Sequence, residues 1–196
     1  MCDVPVFYAT TEGHTRRIAD RVATQLRQHG LDSQPMAVTS QDALEIAWNR
    51  VRGSCLCASL HRQKHQAEAL AFARQHHGEL SAVPSAFISV SLSAASKNVD
   101  EVQAASQLAE QFAMEAGWTP TSVATVAGCL AYTKYKWLVR LMMRRIALKE
   151  GASGDTSQDH EYTDWSQVDR IADELAREVR RRDVIRAEPH ALMKTG

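Results

Sequence analysis

Seven residues near the start of the chain carry the most pointed chemistry: Ala9-Thr10-Thr11-Glu12-Gly13-His14-Thr15. Threonine hydroxyls and backbone N–H groups can converge on a phosphate, and a helix beginning at such a loop adds its dipole to the attraction. Gly13 permits a left-handed turn or a close backbone approach. The triphosphate pattern GxxxxGK[ST] with its lysine is absent, and so is the dinucleotide pattern GxGxxG. The loop therefore suits a phosphate held without a lysine countercharge and without magnesium. An ordinary helix cap would also put a threonine here, but it needs only one of the three present.

Other reactive side chains are less pointed. Cys2, Cys55, Cys57 and Cys129 form no CxxC pair. Zinc-ligand spacing is missing, and a disulfide framework does not suit a chain of this size with so few cysteines. They read as small buried residues in a reducing compartment. Cys55 and Cys57 would share one face of a strand. His61, His65, His76 and His77 cluster in sequence, and a four-residue step could bring His61 and His65 to one helix face. No carboxylate or cysteine accompanies them in register, so surface histidines and no metal are expected. A third group is basic and aromatic: Tyr132, Tyr135 and Trp137 stand among Lys134, Lys136, Arg140, Arg144, Arg145 and Lys149, with no acid between Lys134 and Lys149.

These residues need elements to position them. The apolar run Val4–Tyr8 predicts a first strand. Ile18, Ala19, Val22 and Leu26 at helical spacing predict a helix over Thr15–His29, with Gly30 at its end. Further strands are expected at Gln34–Val38, Ser54–Ala58, Ser85–Ser91 and Ser122–Ala127. Further helices are expected at Gln66–His77, Val99–Ala116 and Asp164–Arg182, with Asp164 as a cap. Alternating strands and helices give an α/β fold, a doubly wound five-stranded parallel sheet with helices on both faces. The stretch 128–163 breaks the alternation as a long insert before the last helix, and connections of that length are usually functional. The tail 183–196 is expected to be disordered.

A chain of 196 residues with 44% hydrophobic and 23% charged residues fits one domain with a real core, here 1–182 with its insert. Zero net charge gives no reason to expect nucleic acid as a partner. No signal peptide and no membrane-spanning stretch are expected.

Several segments carry a resemblance. Thr10-Thr11-Glu12-Gly13-His14-Thr15 resembles the flavodoxin phosphate loop. Pro84-Ser85-Ala86-Phe87-Ile88-Ser89-Val90-Ser91-Leu92, Gly117-Trp118-Thr119-Pro120, Val126-Ala127-Gly128, Tyr132-Thr133-Lys134-Tyr135-Lys136-Trp137 and Tyr162-Thr163-Asp164-Trp165 look like the flavodoxin-like, quinone-dependent protoporphyrinogen IX dehydrogenases of bacteria. These segments fall in order over nearly the whole chain, to about Arg182. The resemblance implies an enzyme that binds one FMN, oxidises protoporphyrinogen IX to protoporphyrin IX in haem biosynthesis, and passes the electrons to a membrane quinone. It implies an FMN site at Thr10, Thr11, Glu12, Gly13, His14 and Thr15, with a second loop at Ala58, Ser59 and Leu60 and a third at Ser91, Leu92 and Ser93. The family's second loop starts with glycine and carries an Arg-x-Gly element. Here Cys57 takes the first place, and His61-Arg62-Gln63-Lys64-His65 has no glycine.

A porphyrinogen is flat, apolar and bears two propionates, so Tyr132, Lys134, Tyr135, Lys136, Trp137 and Arg140 suit it as a binding surface. The same stretch, with Leu138, Leu141, Met142, Ile146 and Leu148 between its cations, reads equally as an interfacial helix on a membrane or as a solvated face with a packed stripe. The expected place is the cytoplasm, with peripheral contact at the inner face of the cytoplasmic membrane. Oligomeric state is open, a homo-oligomer included. The competing readings are a flavodoxin-type electron carrier, an NAD(P)H:quinone reductase, and a flavodoxin-fold module that has lost FMN.

Overall fold

Period-2 alternation along the strands divides the core into two halves. In the computed structural model, which describes residues 2–61, 63–130 and 160–192, β1 (Val6–Ala9) leads to α1 (His14–Gln28), β2 (Pro35–Ala37), the single turn α2 (Gln41–Leu44) and β3 (Ser54–His61). There follow β4 (Lys64–His65), α3 (Ala67–Gln75), α4 (His77–Ser81), β5 (Ser85–Ser91), α5 (Val99–Ala116) and β6 (Ser122–Ala127). The chain ends with β7 (Cys129–Leu130), β8 (His160–Glu161) and α6 (Trp165–Leu192).

Five parallel strands lie in the order β2-β1-β3-β5-β6, and β4 folds back antiparallel onto β3. Val6 pairs with Pro35 on one side and Cys55 on the other. Successive side chains on a strand face opposite ways. Val6, Cys55, Cys57, Ala86, Ile88 and Val126 therefore meet Ile18, Val22 and Leu26 of α1 and Val168, Leu175 and Val179 of α6. Phe7, Leu56, Ala58 and Phe87 face the other way, onto Phe72 of α3, Phe112 of α5 and Trp118. Each Val, Leu, Ile or Phe side chain among them contributes about 1.5–3 kcal/mol by leaving water.

The two helical faces are built differently. On one, α1 and α6 are stitched across their exposed edges by Arg21 to Asp169 (2.7 Å) and His29 to Asp173 (2.7 Å). Exposed pairs of this kind contribute at most about 1 kcal/mol each, so the apolar stripe between the helices carries the packing. On the other face aromatic rings stack: Phe87 lies on Phe112 with centroids 4.5 Å apart and planes 13° from parallel. Gly53 lets β3 enter the sheet, since a Cβ there would sit 2.4 Å from Val179 Cγ2 and 3.1 Å from the Pro84 carbonyl oxygen.

Most expected boundaries hold within a residue or two, and three do not. The third strand reaches His61 rather than ending at Ala58, because His61 and Leu60 gain partners in Lys64 and His65. The helix expected over Gln66–His77 is two, broken at His76, whose φ of −114° leaves the helical range. The last helix continues past Arg182 to Leu192, which corrects the expected disordered tail over that span. No glycine or proline interrupts 183–188, and Arg52 ties Asp183 to Asp3. Among the described residues no helix is long and apolar enough to cross a membrane.

Candidate functional site

In an open parallel sheet all carboxyl ends point one way, and a crevice forms where the strand order reverses. Here that place is β1, since the chain steps outward from β1 to β2 and then back across to β3. A cavity of about 410 Å³ opens at that edge, within the usual size range of small-molecule sites. Four segments wall it.

The first wall is the loop into α1. Gly13 adopts φ 93°, left-handed, and is the N-cap of α1, with no side chain capping the helix. The N–H groups of a first helical turn have no partner within the helix, and no acidic residue lies in this first turn to occupy its dipole. Thr10 Oγ1 accepts from the Gly13 N–H at 2.9 Å, which fixes the turn. Thr10, Glu12, His14 and Thr15 line the cavity. Thr11 is exposed and stands outside the lining.

The second wall is the tight hairpin between β3 and β4. Ser59, Leu60, His61 and Gln63 line the cavity. Ala58 does not line it; its side chain is fully buried in the core with Leu56, Phe72 and Phe112. Alternation turns its side chain into the core while Ser59 faces out. The stretch His61–His65 has no glycine, and Arg62 lies outside the described residues. Gln63 nevertheless adopts a glycine-like φ of 63°. A residue with a Cβ loses about 1–2 kcal/mol there.

His65 and His76 are not surface histidines. His65 Nε2 lies 2.9 Å from Ser89 Oγ, and its ring packs on Phe87 and Phe112 at 5.4 and 4.9 Å. Burial lowers its pKa to about 4. His76, 8% exposed, lies between Trp48 and Phe72 at 5.1 and 4.8 Å. Burial lowers its pKa, opposed by Glu79.

The third wall is the end of β5 with α5. Val90, Ser91, Leu92 and Ser93 border the cavity, and Ser91 Oγ accepts from the Ala94 N–H at 3.3 Å to hold the bend. From α5 come Glu101, Ala104, Ala105 and Leu108, one helix stripe at i, i+3, i+4 and i+7. Two alanines leave room for a flat ring beside Val90 and Leu108.

The fourth wall is Gly128 and Cys129 after β6. This side is locked to the first wall. Thr163 Oγ1 donates to the Ala127 carbonyl at 2.7 Å. Its one proton being used there, the 2.7 Å contact with His14 Nε2 makes His14 the donor. Burial, with Arg17 adding to it and Glu161 opposing, lowers the His14 pKa, so the ring is neutral at pH 7 with its proton on Nε2.

Among the described lining residues none is lysine or arginine, and two are acids, Glu12 and Glu101. An anion here is held by N–H and hydroxyl donors plus the α1 dipole. Together the walls can take a monophosphate at α1 and a flat, largely apolar group against α5. Among the described residues no cluster of His, Cys, Asp and Glu suits a metal ion. Cys55 and Cys57 lie buried on the opposite face with Sγ atoms 3.8 Å apart; that contact and burial push the Cys57 thiol well above its ordinary value.

Of the expected site, the structure brings together Thr10, Glu12, Gly13, His14, Thr15, Ser59, Leu60, Ser91, Leu92 and Ser93. Tyr132, Lys134, Tyr135, Lys136, Trp137 and Arg140 lie outside the described residues. Sequence reasoning missed His61, Gln63, Val90, Gly128, Cys129 and the α5 stripe; the spacing of Glu101, Ala104, Ala105 and Leu108 was the one signal that could have shown the last.

A family model described as a flavodoxin domain matches residues 5–158. The chain is 31% identical over 171 residues to protoporphyrinogen IX dehydrogenase [quinone] of Escherichia coli, covering 87% of this chain and 93% of that protein. It is 32% identical over 172 residues to a protein of the same name from Leishmania major, covering 87% and 73%. Rubredoxin oxygen:oxidoreductase of Desulfovibrio gigas shares the fold with a TM-score of 0.50 at 12% identity, over 90% of this chain and 36% of that one.

Proposed function

The chain belongs to the flavodoxin family and, within it, groups with the quinone-dependent protoporphyrinogen IX dehydrogenases; from that premise we propose that it oxidises protoporphyrinogen IX to protoporphyrin IX with FMN and delivers the electrons to a membrane quinone. The observation that carries the cofactor reading is the uncapped start of α1, where a left-handed Gly13 is flanked by Thr10 and Thr15, both of which line a cavity at the strand-order reversal. The 31–32% identity over 87% of the chain supports the substrate.

These residues fit FMN. Its phosphate would be taken by the N–H groups at His14 and Thr15 with the hydroxyls of Thr10 and Thr15. Its ring system would lie between the hairpin at Gln63 and the Ser91–Ser93 bend, against Ala104, Ala105 and Leu108. When bound, the flavin supplies the two-electron chemistry. The protein's part is to hold the phosphate without a countercharge, to keep His14 neutral by burial and by Arg17 nearby while Thr163 fixes the proton on Nε2, and to exclude water from the ring's apolar side. The whole forms one FMN-binding domain.

The basic-aromatic residues Lys134, Lys136 and Arg140 with Tyr132, Tyr135 and Trp137 would bind the substrate's propionates and ring. The same stretch would rest on the inner face of the cytoplasmic membrane, where the quinone is. Both readings rest on the sequence of that stretch. Lys134→Gln with Lys136→Gln should raise KM for protoporphyrinogen, and unchanged kinetics would reject the assignment. Liposome co-sedimentation of the full chain and of an insert deletion checks the membrane contact.

The deciding experiment is an FMN titration of purified protein, followed by porphyrin fluorescence with a quinone as acceptor. FMN retained through gel filtration together with quinone-dependent porphyrin formation is the expected result. Retained FMN without porphyrin formation would leave an electron carrier or an NAD(P)H:quinone reductase, which a nicotinamide-oxidation assay separates.

A further inference from the structure

The turn between β3 and β4 departs from the rule that left-handed backbone goes to glycine. Gly13, Gly30 and Gly117 obey it; Gln63, at φ 63°, is the exception among the described residues. A strained backbone persists only where its surroundings over-determine it. Gln63 itself is exposed and on the cavity side, so whatever holds it must act through its neighbours.

Two residues later the half-buried His65 reaches toward the core. His65 Nε2 meets Ser89 Oγ at 2.9 Å, and Ser89 is fully buried in the middle of β5. The His65 ring sits against Phe87 and edge-on to Phe112, rings that themselves stack on each other. Cross-strand pairs carry this anchorage back to the turn: Leu60 pairs with His65, and His61 with Lys64. A second pin follows at once, where Gln66 Nε2 donates to Ser59 Oγ. The turn is therefore clamped on its β4 side by a side chain that does not line the cavity.

We propose that His65 is a positioning residue of the cofactor site: its anchorage to Ser89, Phe87 and Phe112 forces the glycine-free turn into the left-handed form that shapes the cavity's second wall. The binding consequence rests on the FMN reading of the cavity, while the strain consequence rests on the fold alone. With the anchor in place the turn is preformed at the cost of strain in Gln63. Without it the turn relaxes, and a ligand must restore the bound form from its own binding energy. Glycine at position 63 adopts that form at little cost, so Gln63→Gly should substitute for the anchor.

The test is a two-residue cycle read in two ways. In FMN titrations of the full-length protein, His65→Ala should weaken binding about tenfold, equivalent to about 1.4 kcal/mol, and adding Gln63→Gly should recover most of it. In denaturant unfolding without FMN, Gln63→Gly should raise the midpoint of the parent protein but not of His65→Ala, whose turn has already relaxed. Ser89→Ala, which removes only the bonded hydroxyl, should give the same pattern at smaller size and serves if His65→Ala does not fold. Weakened binding that Gln63→Gly leaves unrepaired would make His65 an ordinary core residue and overturn the proposal. Equal stabilisation by Gln63→Gly in both backgrounds would overturn it as well. A wild-type protein that binds no FMN would refute the cofactor reading, and the unfolding cycle would still decide whether His65 strains the turn.

Discussion

Acidifying the protein from pH 7 to pH 4 should cost it stability through His65 in particular. An unfolded histidine titrates near 6.5, whereas burial between Phe87 and Phe112 lowers the folded value to about 4. Between those two values the unfolded chain binds a proton that the folded one refuses, so stability rises with pH across that window. It is therefore lost as pH falls from about 6.5, and the loss is complete near 4, below which both states carry the proton. At 1.36 kcal/mol per pH unit the gap is worth about 3 kcal/mol. Partial contact of the ring with solvent trims this toward ~2 kcal/mol. The assay is equilibrium urea unfolding at a series of pH values for the wild type and for His65→Phe, which keeps a ring in the aromatic stack and cannot titrate. His14 and His76 also have lowered values, but they are present in both proteins and cancel in the difference. The wild type should lose ~2–3 kcal/mol relative to His65→Phe between pH 6.5 and 4. Stability curves that stay parallel across that range would refute the half-buried, neutral His65.

Three further outcomes are expected. Gly13→Ala forces a Cβ into φ 93° and should cost about 1–2 kcal/mol together with much of the FMN affinity, read by titration and by unfolding. Gly53→Ala puts a methyl group 2.4 Å from Val179 Cγ2 and should destabilise by about 1–3 kcal/mol, seen as a lower Tm, with FMN affinity at fully folded temperatures unchanged. Thr163→Val removes the hydroxyl between His14 and the Ala127 carbonyl and should cost about 1–3 kcal/mol; a urea midpoint equal to that of the wild type would show that water replaces the link.

The sheet was legible because its signals are local and repeated. Val6, Cys55, Ile88 and Val126 are members of short apolar runs, and Ile18, Val22 and Leu26 mark a helix face by spacing alone. The phosphate loop was legible for a different reason: three threonines and a glycine in one turn have few other uses. What stayed hidden depends on contacts distant in sequence. Nothing near His65 says that Ser89 and Phe112 will enclose it, and an unremarkable polar stretch, His61–His65, folds back on its own strand with Gln63 in a glycine's conformation. Ala58 was placed at the site by its position in a motif, yet strand alternation gives that place to Ser59. The helix past Arg182 was missed because its support, Arg52 bridging Asp3 and Asp183, comes from elsewhere in the chain.

The cavity takes its walls from residues 10–15, 59–63, 90–108 and 128–129, so it has no counterpart in the unfolded chain. A ligand that binds only the folded form stabilises it by mass action, about 2.7 kcal/mol at a hundred times its Kd. That is a sizeable share of a typical domain's margin of about 5–15 kcal/mol. Molecules without FMN should then stand nearer the unfolding threshold than loaded ones. The loaded protein should therefore resist a protease longer than the empty one, in proportion to the FMN present.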